Sequence, residues 1–383
     1  MEKAGLYIHI PFCQKKCGYC DFYSITRLKY TDDFVTALLK EIEITAQHYS
    51  NLHFDTIYMG GGTPTLLSSF QLENILKKIQ QKFSIDTKGE FSIEANPGTI
   101  GKEKLYELKK MGFNRLSLGA QAFHEEDLRF LGRIHSVKDI ITNYESARKV
   151  GFNNINIDLM TAFPGLTHQR FLYTLKHTIA LKPEHISCYT LILEQGTPFY
   201  RSMKKGELIP LKNDEEAFFF EMTYDFLSQN GYIAYEISNF TIHQKFQCQH
   251  NLKYWNHLSY VGLGPFAHSF ISPYRWRNYT SLKSYLNKLS QNMLPVCYKE
   301  ELTKNKLEFE YIFLHLRMKD GLNLKDYQNR FQNKFDIKYI ETLRKLLDSQ
   351  LVEKFNGNIR LTPKGWLLAD EIACEFLKVI AYE

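Results

Sequence analysis

Tyr7-Ile8-His9-Ile10-Pro11-Phe12-Cys13-Gln14-Lys15-Lys16-Cys17-Gly18-Tyr19-Cys20-Asp21-Phe22 is the stretch from which the rest of the chain is read. Its three cysteines fall in C-x3-C-x2-C spacing, directly after an apolar run that predicts a first β-strand. Iron–sulfur clusters are held by Cys thiolates, and a cube of four irons usually takes four of them. A loop offering three leaves one iron without a protein ligand. An open coordination position is what a catalytic metal centre needs and a structural one does not. The same residues would also suit a zinc knuckle, provided a fourth ligand such as His9 joined them. Lys15 and Lys16 add positive charge that favours thiolates and an anionic cluster.

The chain has seven cysteines, an odd number, so a disulfide framework is not the natural reading. Cys188, Cys248, Cys297 and Cys374 are scattered and read as small buried hydrophobes. The net charge is +6 over 383 residues, with Lys and Arg dispersed rather than run together. Nucleic acid is therefore not an expected partner, while weak peripheral contact with an anionic membrane is allowed. Met1 to Gly5 leads into a strand without a long apolar run, and no stretch approaches the about 18 apolar residues of a membrane span. A cytoplasmic location is expected.

Outward from the cysteines, β-branched runs alternate with helical stretches up to about residue 195. Strands are predicted at Leu6–Ile10, Thr56–Met59, Glu90–Ala95, Arg115–Gly119, Asn154–Leu159 and His185–Leu193. Helices are predicted at about 32–50, 68–83, 101–112, 124–131, 136–150 and 167–181, with start signals at Thr31-Asp32-Asp33, Ser68-Ser69 and Ser136. The strands read as near-continuously apolar, as a covered parallel sheet requires. Six βα units in order give an α/β fold, an open or partial barrel whose chemistry gathers at the carboxyl ends of the strands. Polar residues sit at those ends: Gly60-Gly61-Gly62-Thr63, Glu94, Gln121 and Asp158.

After a helix at about 213–229 the pattern loosens, with an irregular stretch through Trp255 and Gly262-Leu263-Gly264-Pro265. From about 300, amphipathic helices near 301–318, 323–334 and 338–349 precede a hairpin, Leu351–Phe355 and Asn358–Thr362, around Asn356-Gly357. A last helix follows Pro363, giving a winged-helix-like module. The expected division is residues 1–230 for the barrel, 231–300 for a connecting region, and 301–383 for the helical C-terminal domain.

The three-cysteine loop, with an aromatic before its third Cys, resembles the signature of the radical-SAM superfamily. There the open iron of a [4Fe–4S] cluster chelates S-adenosylmethionine (SAM), and electron transfer releases a 5′-deoxyadenosyl radical. Tyr-Ile-His-Ile-Pro-Phe-Cys, Gly-Gly-Gly-Thr-Pro-Thr, Asn-Ile-Asp-Leu-Met and Leu361-Thr362-Pro363-Lys364-Gly365 resemble its coproporphyrinogen dehydrogenase branch across nearly the whole chain. That resemblance implies a partial (β/α)6 barrel with a helical C-terminal lid. It makes Cys13, Cys17 and Cys20 the cluster ligands. Tyr7, Tyr19, Gly61, Gly62, Thr63, Glu94, Gln121, Arg133 and Asp158 become the SAM-binding residues.

The branch contains an oxygen-independent dehydrogenase, which oxidatively decarboxylates two propionates, and a family of haem chaperones that deliver haem to respiratory haemoproteins. The dehydrogenase carries a further Cys two residues after the third, where this chain has Phe22. It also has a long N-terminal extension, whereas twelve residues precede Cys13 here. His250-Asn251-Leu252-Lys253-Tyr254-Trp255 matches the H-N-x-x-Y-W motif associated with haem in the chaperones. It offers an imidazole to iron and aromatic faces to a porphyrin, with His250, Tyr254 and Trp255 as the haem contacts. Cys248 is a further thiolate candidate, and His257 and His268 are weaker ligand candidates. The aromatic-rich segment Trp276–Tyr285 could line a porphyrin-sized groove or be ordinary packing. The expected function is a haem chaperone with cluster, SAM and haem as cofactors, and a homodimer is compatible with it. No residue is assigned a catalytic role. The dehydrogenase is the alternative.

Overall fold

The computed structural model describes residues 2–381. The barrel half is built from β1 (Glu2–Ile10), α1 (Thr31–His48), β2 (Leu52–Gly61), α2 (Ser69–Lys82), β3 (Ser84–Ala95), α3 (Lys102–Lys110) and β4 (Arg115–Gln121). It continues through α4 (Glu125–Phe130), α5 (Val137–Lys149), β5 (Ile155–Thr161), α6 (His168–Ala180) and β6 (His185–Thr190). The six strands pair in sequential order and all in parallel, as βαβ crossovers dictate. Two helix starts expected from their serines carry full capping boxes: Ser68 with Gln71, and Ser136 with Asp139. Thr31 opens α1 without capping it through its side chain.

The strands alternate more than their sequences suggest. One face, carrying Ile57, Met59, Ile93, Leu116, Leu118, Ile155, Ile157 and Ile186, is fully buried and apolar, and it packs in the hydrophobic core with residues of the surrounding helices. The other face carries Tyr58, Glu94, Ser117, Asp158 and Tyr189, and all five line one cavity. A sheet whose inward face is polar is no longer a flat double-covered layer. It wraps a hydrated or ligand-filled interior, so the inward positions are free of the apolar requirement.

Next come α7 (Pro198–Lys204), α8 (Asn213–Gln229), β7 (Ile233–Ala234), β8 (Asn239–Thr241), α9 (Gln249–Trp255), β9 (Tyr260–Leu263), β10 (His268–Ile271), β11 (Tyr274–Asn278), α10 (Leu282–Ser290) and β12 (Val296–Glu301). The segment expected to connect two domains is woven into the barrel sheet. The strand order is β12-β11-β10-β9-β1-β2-β3-β4-β5-β6-β8-β7, so β9 runs parallel to β1 while β8 runs antiparallel to β6. Residues 231–300 thus flank both edges of the six-stranded barrel. The aromatic segment after β10 is packing: Trp276 stacks on Tyr49 with centroids 5.5 Å apart, and Tyr285 donates to buried Glu41.

The C-terminal part comprises α11 (Lys304–Leu316), β13 (Leu322–Asn323), α12 (Leu324–Phe331), α13 (Phe335–Lys338), α14 (Ile340–Asp348), β14 (Val352–Phe355), β15 (Asn358–Leu361), α15 (Pro363–Trp366) and α16 (Ala369–Ala381). Its own sheet has the order β13-β15-β14. The β14–β15 turn has Asn356 at φ 47° and Gly357 at φ 80°. Two positive-φ residues of these types are what a two-residue hairpin demands. Buried Glu308 on α11 receives the hydroxyls of Tyr327 and Tyr339, which ties α12 and α14 to α11. Among the described residues no helix is long and apolar enough to cross a membrane.

Candidate functional site

Cys13, Cys17 and Cys20 occupy the loop that leaves the carboxyl end of β1, and each is partly exposed. The loop is anchored by Cys13 N–H to Ile25 O (3.0 Å) and Ile25 N–H to Pro11 O (2.7 Å). All seven cysteines are free. Cys188 and Cys248 are buried as expected, whereas Cys297 and Cys374 are exposed, so the buried reading fails for that pair. Burial raises the thiol pKa of Cys13, and that of Cys20 to about 11. Such thiols give up their protons on binding a cation.

The cysteines open onto a cavity of about 450 Å³ lined from the carboxyl ends of all six barrel strands or the loops after them. Tyr19, Gly61, Gly62, Thr63, Glu94, Gln121, Arg133 and Asp158 all line it. Tyr7 is the exception among the expected SAM residues. Its ring lies behind Tyr58, centroids 6.1 Å apart, and its hydroxyl meets His9 Nδ1 at 3.1 Å.

The glycine loop is held by backbone bonds to the strand before the cysteines: Gly62 N–H to Ile10 O (2.8 Å) and Thr63 N–H to Phe12 O (2.7 Å). A Cβ on Gly62 would stand 2.5 Å from Phe12 O, and one on Gly61, whose φ is +110°, would strike the His9 ring at 2.5 Å. The loop therefore needs glycine in order to lie against the cysteine strand, besides any approach to a ligand. Thr63 Oγ1 faces Cys13 Sγ at 3.8 Å, and Arg133 reaches Cys17 Sγ at 3.4 Å.

Across the cavity Glu94 accepts from Tyr58 Oη (2.9 Å) and Gly61 N–H (3.1 Å). Asp158 accepts from Ser117 Oγ (2.9 Å) and Asn156 Nδ2 (2.7 Å). Burial, reinforced by the charge of Asp158, lifts the Glu94 carboxyl to about 7, and burial raises Asp158 as well. Two carboxylates sharing one interior invite a cationic ligand, which would restore both to their ionised form. Asn96 was missed in the sequence. It donates to Thr63 Oγ1 (2.7 Å) and accepts from Arg133, joining the glycine loop to the arginine. Tyr58, Ser117 and Asn156 were missed too. The signal was the period of two: Tyr58 with Gly60, Glu94 with Asn96, Ser117 with Gln121, and Asn156 with Asp158 share the inward face.

The donor set fits an iron–sulfur cluster. Three thiols sit on one loop facing an open cavity, and no group of three His, Cys, Asp or Glu among the described residues converges on a single ion. A cube takes one thiolate per corner and needs no such convergence. His9, the fourth ligand a zinc knuckle would want, is buried with Nε2 on Tyr23 O (2.9 Å), and burial lowers its pKa to about 4.

The H-N-x-x-Y-W segment forms most of α9, which packs against β1 and β2. Glu90 accepts from Gln249 N–H (3.0 Å), His250 N–H (3.2 Å) and Cys248 Sγ (3.5 Å), and so caps this short helix. Burial raises the Cys248 thiol to about 12, so it stays protonated. His250 is 1% exposed, with Nδ1 at 2.8 Å from Thr56 Oγ1 and Nε2 at 2.8 Å from Tyr254 Oη. Its ring stacks on Tyr58, and burial lowers its pKa to about 3. Both ring nitrogens are engaged, and the structure does not bring His250 to the cysteine cavity. Trp255 is partly buried, and His268 is exposed.

A curved six-stranded (β/α) sheet, with a three-cysteine loop after its first strand and a glycine loop after its second, defines a radical-SAM protein. The radical SAM superfamily model matches residues 7–178, and the HemN C-terminal domain model matches residues 302–368. Coproporphyrinogen III oxidase (HemN) from Escherichia coli, described as a radical SAM enzyme, superposes with a TM-score of 0.86 at 27% identity, covering 98% of this chain and 90% of that one. Within that class the chain belongs to the haem chaperone HemW family. It is 36% identical to heme chaperone HemW of Bacillus subtilis over 374 residues, covering 97% of this chain and 98% of the relative. It is 34% identical to that of Lactococcus lactis, covering 97% and 96%, and 35% identical to that of Escherichia coli, covering 70% of each.

Proposed function

We propose that this protein is a haem chaperone that carries a [4Fe–4S] cluster on Cys13, Cys17 and Cys20 and binds SAM beside it. The observation that carries the reading is the cavity at the carboxyl end of the barrel, where three thiols, the glycine loop and two carboxylates face one another. When bound, the cluster would supply an open iron for a chelating ligand and an electron for redox chemistry. Cys13, Cys17 and Cys20 would each hold one iron. Glu94 would receive the ammonium or ribose hydroxyls of SAM, Asp158 would reinforce the negative interior, and Arg133 would offset the charge of the thiolates. Gly61, Gly62, Thr63, Gln121 and Tyr19 would shape the wall, and Tyr7 would back Tyr58. Phe22, 58% exposed at the cavity mouth, replaces the extra thiol that the dehydrogenase places there.

Haem would be held by the part of the chain that carries His250, Tyr254 and Trp255. His250 could reach iron only after its bonds to Thr56 and Tyr254 part. Delivery to respiratory haemoproteins, in a cytoplasmic setting with peripheral membrane contact, completes the reading, and a homodimer would suit transfer. The fold shared with HemN keeps a second reading alive, oxidative decarboxylation of coproporphyrinogen. Anaerobically purified, cluster-reconstituted protein should bind haem and leave coproporphyrinogen III unconverted when SAM and a reductant are present. Formation of vinyl product at multiple turnovers would replace the chaperone reading with the enzyme.

A further inference from the structure

A second cavity, of about 380 Å³, lies on the flank of the barrel between α9, the β9–β11 strands and α11. It falls within the range of about 300–1,000 Å³ typical of small-molecule clefts. Its walls are Tyr254, Tyr260, Phe270, Phe309 and Phe313. Tyr254, the aromatic residue of the H-N-x-x-Y-W motif, stands edge-on to Tyr260 with centroids 4.5 Å apart. His257, held at φ 51°, lies parallel to Phe270 at 4.4 Å.

The polar groups here are few, and one buried donor among them is left without a partner. His257 is 5% exposed, and its Nδ1 faces the Arg330 guanidinium at 3.2 Å, so Nε2 carries the hydrogen. That buried N–H has no hydrogen-bond partner among the described residues, with Glu310 Oε2 at 3.4 Å and poorly aligned. Arg275 stands in the same wall, about one-third exposed, with its charge already met by two carboxylates: Nε donates to Glu300 at 3.0 Å and Nη1 to Glu310 at 2.8 Å. An unsatisfied buried donor selects an acceptor oxygen on the ligand. Flat aromatic walls select a flat apolar body.

We propose that this groove, rather than the imidazole of His250, is where the tetrapyrrole docks, its face on the aromatic walls and an acceptor oxygen toward the His257 N–H. The proposal rests on the haem reading above. His250 then has a positioning role, fixing Tyr254 through its Nε2.

Recognition by the macrocycle does not need iron, which sets the test. Full-length, cluster-reconstituted protein is titrated with haem and, separately, with iron-free protoporphyrin IX, following tryptophan quenching and the Soret band. Wild type and Leu258→Ala should bind both. Leu258→Trp, which fills the groove from its 43% exposed rim, should weaken both by about tenfold or more, and Leu314→Trp on α11 should do the same. Circular dichroism checks that each variant is folded. Haem binding without protoporphyrin binding, or unweakened binding of both by the two folded tryptophan variants, overturns the groove while leaving the haem reading intact. Wild type that binds no haem overturns both.

Discussion

The Glu94 carboxyl accepts two hydrogen bonds inside the barrel, yet burial and Asp158 lift it to about 7. Its folded pKa lies above the ordinary 4.5. The stabilising excess proton is therefore fully bound below about pH 4.5 and is lost as pH rises through about 7. Glu94→Gln removes this dependence. In cluster-free protein the stability difference between variant and wild type should move in favour of the variant by about 1–3 kcal/mol between pH 4.5 and 8. Paired urea melts at the two pH values measure it, and a constant difference would mean that the carboxylate is not penalised. Gly62→Ala, whose Cβ would meet Phe12 O, should lower stability by about 1–3 kcal/mol and weaken SAM binding about tenfold or more. Unchanged SAM affinity in equilibrium dialysis would contradict the loop's assigned place. At this scale the three cysteines were legible from their spacing. Gly61, Gly62, Glu94, Gln121, Arg133 and Asp158 were singled out through the family resemblance, each alone reading as an ordinary turn, capping or surface residue; all of them line one cavity. Asn96 was not singled out, since an Asn before Pro97 reads equally well as a turn residue.

For the elements, α9 shows what pattern reading loses. Seven residues give too little helical period to recognise, and the helix is fixed by Glu90, 159 positions away in sequence from the Gln249 N–H it accepts. Glu90→Ala should therefore strip α9 of its cap and cost about 2–4 kcal/mol, with hydrogen exchange at Gln249–Tyr254 accelerated more than in β4. Equal acceleration in both would assign Glu90 to the barrel as a whole. The six barrel strands were placed correctly but read as apolar on both faces, because the buried face of each is so strongly aliphatic that it masks the polar alternation. The β14–β15 hairpin was legible, its turn placed at Asn356-Gly357 and its strands within one residue at each outer end, because Asn-Gly between two short runs admits little else.

In the whole molecule, the sheet does not stop where the composition loosens. β9 pairs with β1 through Gly5–Ile8 and Tyr260–Leu263, a contact between segments more than 250 residues apart. No local pattern reports such a pairing, which is why residues 231–300 read as a connector. Native-state hydrogen exchange should place the β1 and β9 amides in the same slow class, opening with global unfolding, while the edge strands β12 and β7 exchange earlier. β9 amides as fast as those of β12 would make 231–300 a separate unit after all.

The central claim is that three thiolates hold a cluster whose remaining iron is open to SAM. Mössbauer spectroscopy of anaerobically reconstituted, ⁵⁷Fe-loaded protein with and without SAM tests it most directly. The account predicts a [4Fe–4S] cluster in which the signal of one iron shifts on adding SAM, and its loss in Cys17→Ser. A spectrum that SAM leaves unchanged, or protein that retains no iron, would contradict it.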